Sequence, residues 1–428
     1  MARKQLEDIF DFTQSADDCV KCGKCIPVCT IHRVNADEVT SPRGFIDLLG
    51  AYKKGNLELD KTAKDIFESC FLCTACVEAC PKSIPTDMII EQVRADVADK
   101  FGIAWFKRAF FMLLRHRKLN DIAFKLGYTF QTCGFKIKSE IDSMNPRFRL
   151  PMIKTDRLLP SLRKVSFLNS HEENIDNGGK RKVAIFIGCL ANYNYVDIGE
   201  SLLEILNKLE IDAFLAKDQK CCGAPAYFTG DQYTVDVNAK HNIEYFENFG
   251  DDIEAIIVPE ATCSAMLKID YEHFFHDQPE WKERAIKIKD KIFMATEWLQ
   301  NHTQLEEVLK EKKQNTKIVT YHDPCHARKM QGIHQEPRNL IRQNYKIVEM
   351  SDPNSCCGFG GVTMQTEKYH LAKAAGTPKA AMIDKTGADV VSAECSACRM
   401  QINNSMDNMG VQTVFKNPIE LIAEALRD

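Results

Sequence analysis

Residues 182–189 read KVAIFIGC, and residues 317–325 read KIVTYHDPC. Each is a short apolar run that stops at a cysteine, the pattern of a buried strand with a thiol at its end. In the first half of the repeat they open, the helical stretch VDIGESLLEILNKLE and the strand pattern IDAFLA lead to Cys221 and Cys222. IEAIIVP then leads to Cys263 in TCSAM. In the second half, KIVEM leads to Cys356 and Cys357, and ADVVSA leads to Cys395 and Cys398 in CSAC. The separations are 136 residues from Cys189 to Cys325, 135 from Cys221 to Cys356 and 132 from Cys263 to Cys395. Such near-constant offsets indicate an internal duplication. Alternating strand and helix patterns predict two related α/β units. Their cysteines fall in loops at strand ends, where open α/β sheets place their sites.

The paired cysteines of KCCGAP and SCCGFGG decide the chemistry. Neighbouring Cα atoms lie about 3.8 Å apart, whereas disulfides need roughly 4.4–6.8 Å. A vicinal pair is therefore a poor bridge and a good way to present two thiolates to one metal centre. The second half offers five thiols, Cys325, Cys356, Cys357, Cys395 and Cys398, one more than a cubane takes. The first offers four, Cys189, Cys221, Cys222 and Cys263, with Met266 at the fifth position. Those four are a further candidate metal site, open to a cubane, a modified cluster, a structural zinc or no metal. Gly358, Gly360 and Gly361 read as a loop hugging a cluster, since no dinucleotide fingerprint or phosphate loop is present. His322 and His326 flank Cys325 and read as exposed loop histidines, placed to tune a cluster by hydrogen bonding.

The N-terminal third carries CVKCGKCIPVC (19–29) and CFLCTACVEACP (70–81), both C-x2-C-x2-C-x3-C. This is the run of two-cluster bacterial ferredoxins, in which the fourth cysteine serves the other cluster. One [4Fe–4S] set is then Cys19, Cys22, Cys25 and Cys80, and the other is Cys70, Cys73, Cys76 and Cys29. Thr30 stands where proline is usual after the first run. Zinc sites typically use two separated CxxC pairs, so two complete four-cysteine runs favour iron–sulfur.

The remaining composition bounds the reading. The chain has 428 residues, 44% hydrophobic and 27% charged, with net charge −4. That is a globular chain of two or three domains with no nucleic-acid signature. MARKQLEDIF has no apolar signal-peptide core, and no apolar run is long enough to span a membrane. With 18 cysteines and no export signal, metal binding outranks disulfides. Only Cys133 falls outside a cluster, an ordinary semi-buried thiol. Between Asp99 and Asp121 the stretch KFGIAWFKRAFFMLLRHRKLN is basic and aromatic. It predicts a helix with a cationic arc opposite an apolar one, suited to a membrane surface or a partner. Trp105, Lys107, Arg108 and Arg115 are its candidate contacts.

The expected architecture is α+β overall. Residues 1–100 form an α-helical two-cluster ferredoxin-like domain, and residues 101–180 a basic, aromatic helical connector. Residues 181–315 and 316–428 form the two units of a duplicated α/β cysteine-rich (CCG) domain.

The order C, then CC, then CxxC resembles the cysteine-rich domain of the heterodisulfide reductase family. That resemblance implies a noncubane [4Fe–4S] cluster at Cys325, Cys356, Cys357, Cys395 and Cys398. A ferredoxin domain ahead of two such units resembles the iron–sulfur subunits of respiratory flavoenzymes. FIGCLANYN, KCCGAP, TCSAM, YHDPCHARKM and NPIELIAEAL are similar to the iron–sulfur subunit of the anaerobic glycerol-3-phosphate dehydrogenase type. SPRGFIDLL is similar to the glycolate oxidase type and its lactate-utilisation relatives. The resemblance implies an electron-transfer subunit without a catalytic residue or organic substrate site of its own. An FAD-containing dehydrogenase subunit would oxidise a CH–OH group of glycolate, lactate or glycerol 3-phosphate. Electrons would pass towards the quinone pool or a membrane subunit, with the protein cytoplasmic and peripheral on the inner face of the cytoplasmic membrane. The alternative is a heterodisulfide-reductase-like catalyst that reduces a disulfide at the CCG cluster.

Overall fold

The computed structural model describes residues 12–148 and 153–427; the opening MARKQLEDIF lies outside them. The N-terminal part is built from short helices, among them Thr30–Asn35, Pro42–Lys53, Lys61–Phe67, Ala75–Ala79 and Thr86–Phe101. Polar caps set two of these starts. Ser41 accepts from the Gly44 N–H at 3.0 Å with Pro42 as first helical residue, and Asp60 accepts from the Ala63 N–H at 2.7 Å. Phe45, Phe67, Ile89, Ile90 and Val93 form the core between them.

The connector is not one helix. Gly102, at φ +73°, ends the first helix, and the basic stretch becomes Trp105–Arg115 and Arg117–Gly134, broken at His116. A small antiparallel sheet follows: β1 (Phe135–Lys138), β2 (Ser143–Pro146) and β3 (Leu159–Pro160). The expected cationic arc is also divided. Lys107 turns inward, 3% exposed, onto Glu367 at 2.6 Å and Thr363 at 2.9 Å. Arg115 donates to Thr234 and stacks on Tyr233. Long basic side chains satisfied by internal acceptors do not reach a membrane. Trp105 and Arg108 stay exposed, and Cys133 is exposed rather than semi-buried. Helix Arg117–Gly134 points Leu119, Ile122, Leu126 and Phe130 to solvent at helical spacing. Among the described residues no helix is long and apolar enough to cross a membrane.

The duplication is structural. The first unit holds β4 (Asn174–Ile175), β5 (Arg181–Ile185), β6 (Ile211–Leu215), β7 (Ile253–Val258) and β8 (Ile292–Met294), in the order β4-β6-β5-β7-β8. The second holds β9 (Ile318–Tyr321), β10 (Lys346–Ile347), β11 (Val390–Ser392) and β12 (Val414–Lys416), in the order β10-β9-β11-β12. Apart from the antiparallel edge strand β4, all neighbours are parallel and the two orders superpose. In each unit the first long strand is flanked by the second and third. Their C-terminal ends therefore bring all three cysteine loops to one place.

The boundary between units is less separable than the repeat suggests. Strand β4 is drawn from the connector, and the C-terminal helix Pro418–Arg427 packs on helix Asp197–Lys208 of the first unit. One apolar core joins Val183, Ile185, Leu202 and Trp298 with Val319, Tyr321, Ile419 and Ile422. Two buried glutamates also cross over. The Ser396 N–H and hydroxyl donate to Glu260, and the Thr296 N–H and hydroxyl donate to Glu394.

Candidate metal centres

In the N-terminal domain the eight cysteines divide between two small cavities. Cys19, Cys22, Cys25 and Cys80 line one, with Lys21, Arg43 and Lys82 around it. Cys29, Cys70, Cys73 and Cys76 line the other, which Asp87 also faces. The crossed grouping is the one the spacing suggests. To turn thiols inward the loops use Lys21, Leu72 and Thr74 at φ 52°, 51° and 56°, a conformation costing roughly 1–2 kcal/mol per residue. Burial pushes the Cys29 and Cys70 thiols up to about 12, so ionisation there needs a cation to replace the proton. Four soft sulfurs round each cavity are a donor set that an iron–sulfur cluster fits.

The second cavity does not end within its own domain. The Cys356 thiol of the second cysteine-rich unit lies within hydrogen-bond reach of both Cys73 and Cys325, and its one S–H donates to either sulfur in turn. These hydrogen bonds, with the Lys329 ammonium nearby, hold Cys73 and Cys325 below the ordinary thiol range. Lys329 lies 3.7 Å from the Cys325 sulfur and donates to the Asn354 carbonyl at 2.8 Å. Burial works against its charge, but the surrounding cysteines hold its pKa above the ordinary lysine value. Asn354 in turn donates to Glu78 at 3.0 Å.

Within the second unit Cys357 and Cys398 are 3.5 Å apart, and the Cys395 sulfur accepts from the Cys398 N–H at 3.4 Å. Cys325 opens helix Cys325–Gln331, and Cys395 caps helix Ser396–Met409. Both helix starts favour negative sulfur. Gly358 follows the vicinal pair at φ +88°, a left-handed turn open to glycine. His322 is fully buried, not exposed, with its ring nitrogen, Cys357 and Cys398 within 4.8 Å of one another. Burial pushes it below the ordinary histidine value, and burial drives His326 down to about 4. Lys379, pushed down to about 8 by burial, donates to the Asp352 carbonyl at 2.8 Å beside the same cysteines. Lys329, four residues after Cys325 on a helix, was readable in the sequence; Lys379 was not.

The first unit repeats the plan with apolar replacements. Cys221 accepts from Cys189 and Cys222, and Cys222 contacts Cys263. Gly223 has φ +94°. Met266, fully buried, packs beside it where the other unit has Cys398. Cys189, Cys221, Cys222 and Cys263 lie in the lining of a cavity of about 420 Å³, walled by Phe110, Leu114, Phe124, Phe228, Phe359 and Val362. The two cavities in the N-terminal domain measure about 20 and 30 Å³.

Comparison with known proteins agrees with this geometry. The family model of the cysteine-rich CCG domain matches residues 183–268 and 319–403, and that of the 4Fe-4S dicluster domain matches residues 15–84. The "Probable glycolate oxidase iron-sulfur subunit" of Bacillus subtilis (strain 168) is 28% identical across 95% of this chain and 94% of its own. A fumarate reductase (CoM/CoB) subunit of Methanothermobacter marburgensis is 27% identical across 99% of this chain and 74% of its own. "Lactate utilization protein A" of Halalkalibacterium halodurans is 33% identical across 54% of this chain and 91% of its own. With the dicluster and duplicated cysteine-rich domains in place, the chain belongs to the family of CCG-domain iron–sulfur oxidoreductase subunits that includes lactate utilization protein A and the glycolate oxidase iron–sulfur subunit.

Proposed function

We propose that this protein is the electron-transfer subunit of a flavoprotein dehydrogenase acting on a 2-hydroxy acid, glycolate or lactate, with glycerol 3-phosphate as the less favoured substrate. The observation that carries this reading is the contact between Cys73 and Cys356. It joins the ferredoxin-type cysteines to the CCG cysteines without an intervening layer. The ligand sets are Cys19, Cys22, Cys25 and Cys80 for an outer [4Fe–4S] cluster, and Cys29, Cys70, Cys73 and Cys76 for an inner one. Cys325, Cys356, Cys357, Cys395 and Cys398 hold the third, of noncubane type. Cys189, Cys221, Cys222 and Cys263 are the fourth candidate site. The bound clusters supply one-electron storage; the chain supplies thiolates, compensating cations and exclusion of water.

The outer cavity is the place where electrons arrive. Cys22 is exposed, with Lys82 beside it together with Lys21 and Arg43, which pair with Asp47 and Glu38; this is a charged surface for an FAD-containing partner. Electrons leave towards the quinone pool. Peripheral membrane association is supported by the apolar stripe Leu119, Ile122, Leu126 and Phe130, with Arg108, Lys118 and Lys125 exposed beside it. The working division is residues 1–100, 101–180, 181–315 and 316–428, with strand β4 of the second segment pairing into the sheet of the third.

A tagged chain purified without oxygen should hold about twelve irons if three clusters are loaded, and should retain an FAD protein. Glycolate or lactate added to that complex should reduce a soluble dye. A preparation that holds its iron but brings down no flavoprotein would sink the reading. A second reading, disulfide reduction at the CCG cysteines, is favoured by the likeness to the fumarate reductase (CoM/CoB) protein; it would show as disulfide-dependent oxidation of the reduced protein.

A further inference from the structure

The cavity beside the first cysteine-rich unit is too large and too apolar to be a cluster cage alone. It measures about 420 Å³, and aromatic and aliphatic side chains from the connector and from both units wall it. Four thiols, Cys189, Cys221, Cys222 and Cys263, are part of its lining. Among the described residues, several polar groups in the lining lack hydrogen-bond partners. Arg157 is 1% exposed, and its Nε and Nη2 make no hydrogen bond; only Nη1 reaches Gln401, at 3.5 Å. The Asn120 and Gln365 side-chain carbonyls are likewise buried and unpartnered. The guanidinium lies 5.6 Å from the Tyr369 ring, and a buried guanidinium with two nitrogens left without acceptors is expensive. Its cost is offset when a ligand oxygen accepts its N–H groups, and the two amide carbonyls suit the hydroxyls that the ligand's oxygens become on reduction.

We propose that this cavity binds a para-quinone with an apolar tail, one ring carbonyl towards Arg157 and its tail along Phe110, Leu114 and Phe124. The helices Trp105–Arg115 and Arg117–Gly134 provide that wall, and their outer faces expose Trp105, Met112, Leu119, Ile122 and Phe130. Both helices thus carry apolar side chains on their outer face as well as towards the cavity, on the side from which a lipophilic ligand in a bilayer surface would come. The assignment rests on the electron-transfer reading above. Bound quinone takes up two electrons, one at a time, from the flavoprotein partner through the cysteine-held centres. It takes up two protons from water; each carbonyl oxygen gains an O–H bond, and hydroquinone leaves.

The test uses the cluster-loaded, oxidised protein, so that binding is read without turnover. Equilibrium dialysis with a decyl-substituted naphthoquinone should show one equivalent bound. Arg157→Met should weaken binding about tenfold or more, the loss of a charged hydrogen bond. Val362→Phe, which fills the cavity without removing a polar group, should abolish binding while iron content and circular dichroism stay unchanged. Equal affinity in all three proteins, no binding by the wild type, or displacement by palmitate as effective as by the quinone would overturn the assignment. Dye reduction by the flavoprotein complex separates the two ideas. Dye reduction without quinone binding leaves the proposed function standing and removes the cavity's role; quinone binding without dye reduction does the reverse.

Discussion

The two cysteine-rich units share a fold and differ at the positions that face their cysteines. At the 136-residue offset, Phe186 stands where the second unit has His322, and Tyr193 where it has Lys329; at the 132-residue offset Met266 replaces Cys398. The second set sees Lys329 and Lys379 and abuts Cys73. The first sees Glu260, whose charge opposes ionisation of Cys189 and Cys263, and opens onto an apolar cavity. Duplication thus produced one site with cations beside its cysteines and one facing an apolar cavity. Same-fold halves diverge by a few side chains at strand ends, because those ends carry the chemistry and the sheet beneath is indifferent to them.

The sharpest way to break the comparison is to remove the same thiol from each unit. Cys357→Ser should eliminate the third iron–sulfur signal in electron paramagnetic resonance, lower iron by about four atoms, and stop electron transfer to dye acceptors beyond it. Cys222→Ser should leave the ferredoxin-type and Cys357-dependent signals in place. Identical spectra for both variants would show that the units are not distinct.

Next comes the glycine of each CCG turn. Both have left-handed backbone, so alanine should cost roughly 1–2 kcal/mol at either site. A side chain at Gly358 would also meet the Gly376 nitrogen at 2.9 Å and the Ala375 methyl at 3.0 Å, whereas one at Gly223 finds nothing nearer than 3.7 Å. Denaturant midpoints should therefore fall further for Gly358→Ala than for Gly223→Ala, and the reverse order would contradict the packing.

The crossed glutamates test how far the units depend on one another. Burial pushes Glu394 up to about 8 and Glu260 up to about 7. The folded state thus keeps protons that the unfolded chain releases near the ordinary carboxylate value. Stability is then present in full below that value and falls as pH rises through about 7 to 8, by at most about 1.4 kcal/mol for each tenfold gain in proton affinity. Melting temperature should drop from pH 6 to pH 9, and Glu394→Gln should flatten the drop. An unchanged slope would count against the buried clasp.

The smallest effect is electrostatic. Lys329→Met removes a positive charge beside Cys325, Cys73 and Cys356, so the nearby cluster should become harder to reduce. A shift of roughly 60 mV, about 1.4 kcal/mol for a one-electron couple, is the expected scale in a potentiometric titration. Tyr193→Phe, at the corresponding place in the first unit, should leave that potential alone.

Much of this architecture was legible in the residues. Short apolar strands ending in cysteine give the two sheets because parallel strands buried on both faces read as continuous Val/Ile runs. The ferredoxin loops were readable because ligand spacing is a local property of the chain. The connector was misread for a related reason. Composition gave its basic and aromatic character, but Gly102 and His116 break it, and only the acceptors Glu367 and Thr234 decide which cations turn inward. The outward stripe of Leu119, Ile122, Leu126 and Phe130 was present in the sequence at helical spacing, hidden by the assumption of one helix.

The sequence alone determined which residues are metal-ligand candidates, that the C-terminal part is a repeat, and that one repeat lacks a thiol. Those are matters of residue type and spacing along one chain. The tertiary structure alone decided that Cys73 touches Cys356, that Glu260 and Glu394 cross between units, and that Arg157 faces a cavity beside the incomplete motif. Contacts between residues hundreds of positions apart depend on how layers pack and which buried polar groups find partners, and no local pattern encodes that.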